Sequence, residues 1–125
     1  MEKSNQEVVE HVWYMRPVFF VSDIQSAIAF YVDKLGFTKK WHEADGKGTV
    51  CQVDRGGCEI ILCEDTTHNR RSRVFLELSR DGVDQLLKEV AEHSVPTKKV
   101  RWGYDVLQIE DPDGNELFVC LENLL

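Results

Sequence analysis

The chain has 125 residues, and what it lacks removes several classes of function. No apolar run approaches the roughly 20 residues that a membrane-spanning helix needs, so no membrane association is expected. The opening residues, MEKSNQEVVE, are polar and acidic and hold no apolar signal-peptide core. A cytoplasmic location is the corresponding expectation. Clustered basic residues are missing too. The formal charge is −7, and the group Arg70-Arg71-Ser72-Arg73 beside His68 is too small to neutralise a phosphate backbone. No nucleic-acid partner is expected.

Cys51, Cys58, Cys63 and Cys120 have no Cys-x-x-Cys spacing, which favours core thiols in a reducing compartment over zinc ligands. His11, His42, His68 and His93 include no His-x-x-x-His pair. His93 at a helix end has an ordinary electrostatic reason to be there. Neither a Gly-x-Ser-x-Gly nucleophile motif nor a glycine-rich phosphate loop is present.

What the sequence does contain is pattern. Its 42% hydrophobic composition suffices for the core of one domain. Ile24, Ala27, Ile28, Tyr31 and Leu35 recur at helical spacing. Ser22 and Gln25 have the spacing of a capping box, and Gly36 stands where a helix would end in a left-handed residue. Residues 17–21 before this helix and 37–41 after it are strand-like. The same plan returns about 59 residues later: a strand over 74–78, then a helical stripe of Val83, Leu86, Leu87, Val90 and Ala91, stopped by Pro96. Further strands are predicted over 49–54, 59–63, 97–101, 104–110 and 117–121, with Asp111-Pro-Asp-Gly-Asn115 as a tight turn.

Each half is therefore βαβββ. The predicted fold is α+β: two βαβββ modules, about 16–66 and 72–122, forming a curved, cleft-enclosing mixed sheet with the helices outside. Residues 1–15 form an N-terminal extension, in which Val8, Val9, Val12 and Trp13 suggest a short amphipathic helix. Residues 16–125 form a single domain.

Val21-Ser-Asp-Ile24, Ala29-Phe-Tyr31, Leu35-Gly-Phe37, Trp102-Gly103 and Asp111-Pro-Asp-Gly-Asn115, in this order, resemble the vicinal oxygen chelate superfamily. That superfamily groups glyoxalase I, fosfomycin resistance enzymes, extradiol dioxygenases and bleomycin-resistance proteins. The resemblance covers about residues 16–122 and implies a metal held by His and Glu side chains on four strands. Carried onto this chain, the first position falls on Arg16, the third on Phe75, the fourth on Phe118, and the second on Glu59 or Ile61. Arginine is a permanent cation and phenylalanine has no donor. The resemblance is thus closest to the metal-free, bleomycin-resistance-like branch, with no metal and no cofactor expected. Enzymatic activity is left open, with the balance against it. The resemblance also implies a homodimer that shares its clefts between chains, with Val8–Trp13 and Leu124-Leu125 as apolar segments available for contact.

Alternation assigns faces. With Arg16, Phe75 and Phe118 in the cleft, Val18, Phe20, Glu77, Glu116 and Cys120 join them, while Phe19, Val21, Val74, Leu76, Leu117 and Val119 lie under the helices. Glu77, in an apolar strand, needs a partner, and Arg16 is the expected one. Phe20, Trp41, Phe75, Trp102 and Phe118 would provide flat walls, and Glu59, Glu77 and Glu116 carboxylates at the rim. The expectation is a protein that binds a small aromatic or cationic molecule, an antibiotic among the candidates. The alternative is a metal-dependent lyase, isomerase or dioxygenase using a non-standard set such as Glu59, Glu77 and Glu122.

Overall fold

The computed structural model describes residues 13–68 and 71–122. Strand β1 (Val18–Val21) leads into α1 (Ile24–Ala29), which continues into one π-helical turn (Phe30–Lys34). Then follow β2 (Thr38–His42), the short turn α2 (Glu43–Gly46), β3 (Val50–Arg55) and β4 (Cys58–Glu64). The second module repeats the order with β5 (Arg73–Leu76), α3 (Arg80–Glu92), β6 (Thr97–Trp102), β7 (Tyr104–Glu110) and β8 (Glu116–Cys120).

The strands form two four-stranded sheets, β1-β4-β3-β2 and β5-β8-β7-β6. In each, the last three strands are antiparallel, as tight connections such as Gly56-Gly57 and the left-handed Gly103 require. The first strand of each module pairs parallel to the last, β1 with β4 and β5 with β8. This is the expected α+β pair of βαβββ modules, with each module keeping its own hydrogen-bonded sheet. No described helix is long and apolar enough to cross a membrane.

Periodicity predicts both helices, but distant side chains cap the first one. Ser22 and Gln25 do not form the expected box. Instead the Glu64 carboxylate at the end of β4 accepts the Ile24 N–H at 2.8 Å, and Asp113 accepts the Ser22 N–H at 3.0 Å. A carboxylate is the stronger acceptor at a helix N-terminus, and tertiary structure supplies two. At the other end Gly36 is left-handed (φ +71°), and the Phe37 N–H returns to the Tyr31 carbonyl at 2.9 Å. A β-carbon at Gly36 would stand 3.0 Å from Arg55 Nη1, so this glycine also admits the arginine that closes the helix end. The ladder of β5 stops at Leu76 rather than Leu78, because Ser79 turns the chain and caps α3 by accepting the Gly82 N–H at 3.1 Å.

The apolar faces of both sheets and both helical stripes merge into one core. Phe19, Val21, Ile60, Leu62 and the α1 residues Ile24, Ala27, Ile28 and Tyr31 join Leu86, Val90, Ile109, Leu117 and Val119. Phe19 and Val21 are buried and Val18 is exposed, so the alternation assigned to β1 holds.

Five polar contacts join the modules among the described residues, and all involve the helices or the turn between β7 and β8. Ser22 meets Asp113, and the Tyr31 hydroxyl donates to Asp111 at 3.0 Å. The Asn115 amide donates to the Phe20 carbonyl at 3.1 Å, and Lys34 Nζ to the His93 carbonyl at 3.2 Å. Arg55 grips Glu89 at 2.6 and 3.3 Å while donating to the Leu35 carbonyl at 2.7 Å. No such contact joins the opposite faces of the two sheets.

Tyr31 sits in the buried part of this seam, so its hydroxyl is testable. Tyr31→Phe keeps the packing and removes one donor from a buried carboxylate. It is expected to cost about 1–2 kcal/mol in urea unfolding with an unchanged m-value. A loss below about 0.3 kcal/mol would show that Asp111 does not need this donor.

Candidate functional site

The faces turned away from the core carry the mixed side chains. On the first sheet, β1 runs parallel to β4 with Val18 opposite Ile61, so Arg16, two residues earlier, lies opposite Glu59. Arg16 Nε donates to Glu59 Oε1 at 2.9 Å. On the second sheet Phe75 lies directly opposite Phe118. The offset of about 59 residues carries Arg16 to Phe75 and Glu59 to Phe118. By this offset Glu59, rather than Ile61, is the counterpart of Phe118. The four positions are two cross-strand pairs, an ion pair in one module and an aromatic pair in the other.

Within the chain Arg16 pairs with Glu59, not with Glu77. Parallel register decides this, because it places the two side chains on adjacent strands of one sheet. Glu77 lies just past the end of β5, is exposed, and has no hydrogen-bond or ion-pair partner among the described residues.

A polar network surrounds Glu59. Tyr14 donates its hydroxyl to Glu59 Oε1. Gln52, only 3% exposed, donates from Nε2 to Asp54 at 2.9 Å and to Glu59 at 3.3 Å. The indole N–H of Trp41 donates to Gln52 Oε1 at 2.9 Å, so both ends of the amide are committed. The donated Tyr14 hydrogen bond comes first in holding the Glu59 carboxyl below the usual carboxylate range. Partial burial works against it, and the Arg16 guanidinium supports it. Phe20, also on this face, is covered by the His68 imidazole, stacked at 4.0 Å and 10° between planes, while His68 bonds Asp65 at 2.9 Å.

The second sheet presents an aromatic panel. Phe118 is 2% exposed because Trp102 meets it edge-on at 5.2 Å and the Arg73 guanidinium covers its ring at 4.1 Å. Phe75 lies 5.2 Å from Tyr104 and 6.0 Å from Trp102. Arg73 is tied to Glu116 at 2.7 Å, and Gln108 donates to the same carboxylate at 2.9 Å. Trp102, Tyr104 and, on the first sheet, Trp41 are 45, 38 and 42% exposed. These rings are wide, flat and open to solvent.

The residues at the four positions do not fit a divalent metal. Arg16 repels one, Phe75 and Phe118 offer no lone pair, and Glu59 Oε1 already accepts from three donors. The alternative set does not assemble within the chain. Glu122 is held by Arg101 at 3.0 Å and the Asp105 N–H at 2.8 Å, Glu59 by Arg16, and Glu77 stands apart. No group of three His, Cys, Asp or Glu side chains suited to a metal ion exists among the described residues.

Sequence reasoning names Arg16, Phe20, Trp41, Glu59, Phe75, Trp102, Glu116 and Phe118, all of which lie on these two faces, and Glu77, which lies beyond its strand. It misses Gln52, Arg73 and Tyr104. Arg73 was reachable, since it lies two residues before Phe75 on the same face. Gln52 was not singled out, although strand alternation places it with Asp54. Of the proposed apolar contact segments, Val8, Val9, Val12 and Leu124-Leu125 lie outside the described residues, and Trp13 is exposed.

Fold and site together define a paired βαβββ protein whose mixed faces hold aromatic and ion-paired side chains where metal ligands would stand. The chain belongs to the Glyoxalase/Bleomycin resistance protein/Dioxygenase superfamily, whose family model matches residues 11–119. Among solved structures it is similar to a bleomycin-binding protein complexed with bleomycin, at 18% identity and a TM-score of 0.70, over 90% of this chain and all (100%) of that one. It is also similar to TnmS3, an antibiotic binding protein from Streptomyces (22% identity, TM-score 0.70, 90% of this chain and 98% of that one). A lactoylglutathione lyase from Agrobacterium tumefaciens shares 17% identity with a TM-score of 0.67, over 89% of this chain and 95% of that one. No curated protein matches the chain.

The Glu59 network makes a pH prediction. A carboxylate whose folded pKa is depressed contributes stability above its unfolded pKa, and that contribution is lost as pH falls through the folded value. In an NMR pH titration, Glu59 should titrate below the usual glutamate range, and Tyr14→Phe combined with Arg16→Met should return it to that range. Unchanged titration in the double variant would show that neither neighbour controls it.

Proposed function

We propose that this chain is a metal-independent binding protein for a small aromatic or cationic molecule, which it sequesters without transforming. The observation that carries this reading is the occupancy of the four family positions by Arg16–Glu59 and Phe75–Phe118. Of these four side chains only Glu59 has lone pairs to offer, too few for a divalent metal, while together they supply surfaces for stacking and charge. Trp41, Trp102, Tyr104 and Phe75 would form the walls, with Glu59 and Glu116 as carboxylates near a cationic group. Two of the similar structures are, by name, a bleomycin-binding protein and an antibiotic binding protein, which supports the same class of role.

The reading includes a homodimer. Within one chain the core side of each module is turned to the other, and among the described residues the mixed faces make no polar contact with each other. A second copy would place the first-sheet face of one chain against the second-sheet face of its partner and enclose a ligand between them. Phe20 with its His68 cover would then lie at the mouth. The expected location is the cytoplasm.

The test is a thermal-shift screen of chelator-treated protein against divalent metals and a panel of cationic and aromatic antibiotics. A ligand at about 100 times its dissociation constant should add about 2.7 kcal/mol. Binding should quench the exposed tryptophans, and Trp102→Ala should weaken it about tenfold, equivalent to about 1.4 kcal/mol. Stabilisation by low-micromolar metal, abolished by Glu59→Gln, would overturn this reading and favour a metal-dependent lyase, isomerase or dioxygenase.

A further inference from the structure

A cavity of about 500 Å³ opens at the seam between the modules, on the core side of the second sheet. Its walls combine the half-buried Phe75, Leu76 and Leu78 at and just past the end of β5 with the buried Leu35, Phe37, Leu86, Leu117 and Val119 from the end of the first helix, the approach to β2, α3 and β8. Leu117 and Val119 point away from Phe118, so the cavity and the aromatic panel use opposite faces of β8, and Phe75 on the neighbouring strand borders both. Cys58 also lines it. Burial, with smaller contributions from Asp54 and Glu59, pushes this thiol up to about 11, so it contributes as a small neutral group and not as a nucleophile.

The mouth is polar and asymmetric in charge. Arg55 is there, but its charge is answered by Glu89 at 2.6 Å and by the Leu35 carbonyl at 2.7 Å. Glu77 is there as well, exposed and with no partner among the described residues. The Gly56-Gly57 turn also lines the cavity, and a β-carbon at either glycine would meet nothing within 4 Å. An apolar chamber in the range of ligand-sized cavities thus ends in one unanswered carboxylate.

We propose that the seam cavity is a second ligand site, on the core side of β8 and bordering the mixed faces at Phe75, and that it takes a hydrophobic amine: an apolar body among Leu35, Phe37, Leu76, Leu117 and Val119, and an ammonium group at Glu77. The apolar body removes surface from water, and the ammonium answers the charge at the mouth that has no partner among the described residues. An acid of the same shape would meet Glu77 as a like charge and find Arg55 already engaged. Because the walls come from both modules, an occupant also bridges the seam and resists its opening.

A matched set of probes tests this: 4-phenylbutylamine, 4-phenylbutanol and 4-phenylbutyrate share one body and differ in the head. Methyl NMR of the full chain should show saturable shifts at Leu117 and Val119 with the amine, at least fivefold weaker with the alcohol, and none with the acid. Glu77→Gln, an exposed substitution that leaves the walls intact, should weaken the amine about fivefold to tenfold. Leu86→Trp should abolish binding by filling the chamber. If that variant fails to fold, the three-probe comparison on the unmodified chain decides alone. Equal binding of amine and acid, an amine affinity unchanged in Glu77→Gln, or shifts confined to Trp102 and Phe118 would overturn the proposal. So would Leu117 and Val119 methyls that respond to protein concentration and not to the amine, since a second copy would then occupy the seam. Antibiotic binding is read at Trp102 and this site at Leu117 and Val119, so either can fail without the other.

Discussion

The carboxylate of Asp111 is the point on which the pairing of the modules depends. It lies buried in the turn between β7 and β8 and collects four donors. These are the N–H groups of Asp113 and Asn115, the Asn115 amide at 3.0 Å, and the Tyr31 hydroxyl from the other module. Burial pushes its carboxyl above the ordinary range, and the donors act against that push. Stripped of them, a charge at this depth would be costly. Asn115 extends the junction by donating to the Phe20 carbonyl and accepting the Ser72 N–H at 3.0 Å. One turn of the second module therefore fixes where β1 ends and how the first helix lies. Burial likewise pushes the Tyr31 hydroxyl well above its usual value, so it remains a donor throughout the physiological range.

With the seam held on the core side, the mixed faces are left to point outward, and their composition follows from that freedom. A buried face must be filled with apolar side chains at native density, whereas a face awaiting a ligand can hold rings beside paired charges. Both sheets solve the charge problem alike. Arg16 is matched by Glu59 and Arg73 by Glu116, each across a parallel strand pair. Each arginine also lies over a ring, Arg16 over Tyr14 at 4.8 Å and Arg73 over Phe118 at 4.1 Å. Such exposed pairs contribute little stability, so their plainest physical effect is to hold the aromatic planes in place.

Most of this architecture was legible because it rests on short-range patterns. Helical periodicity located both helices, strand alternation separated Phe19 and Val21 from Val18 and Phe20, and the Asp-Pro-Asp-Gly-Asn turn announced itself. What was not legible depends on register and distance. Arg16 and Glu77 look like partners when corresponding strands of the two halves are compared. Only the parallel ladder, with Val18 opposite Ile61, brings Glu59 across from Arg16. The cap of α1 was misassigned for a related reason. Ser22 and Gln25 are a plausible local solution, yet Glu64 and Asp113, about 40 and 90 residues away in sequence, are better acceptors once the fold delivers them. The end of β5 is a third case. The apolar run to Leu78 reads as strand, but the hydroxyl of Ser79 commits the chain to a helix start and draws Glu77 out of the ladder.

That displacement of Glu77 bears on how the two module types could diverge from one plan. A carboxylate kept within β5 would share the face of Phe75 and sit beside the aromatic panel, four residues and about 13 Å along the strand from Arg73. Placed past the strand end, it leaves the Arg73–Glu116 pair undisturbed and reaches the seam instead. The first module has Val18 at the position equivalent to Glu77, and its carboxylate stands within the ladder at Glu59, equivalent to Phe118, where Arg16 neutralises it. The same repeat thus yields an internal ion pair in one half and, in the other, an aromatic pair with a free carboxylate at its margin. The two outcomes come from different residues at equivalent positions of one plan, because in a pleated sheet each position along the strand fixes the face its side chain takes.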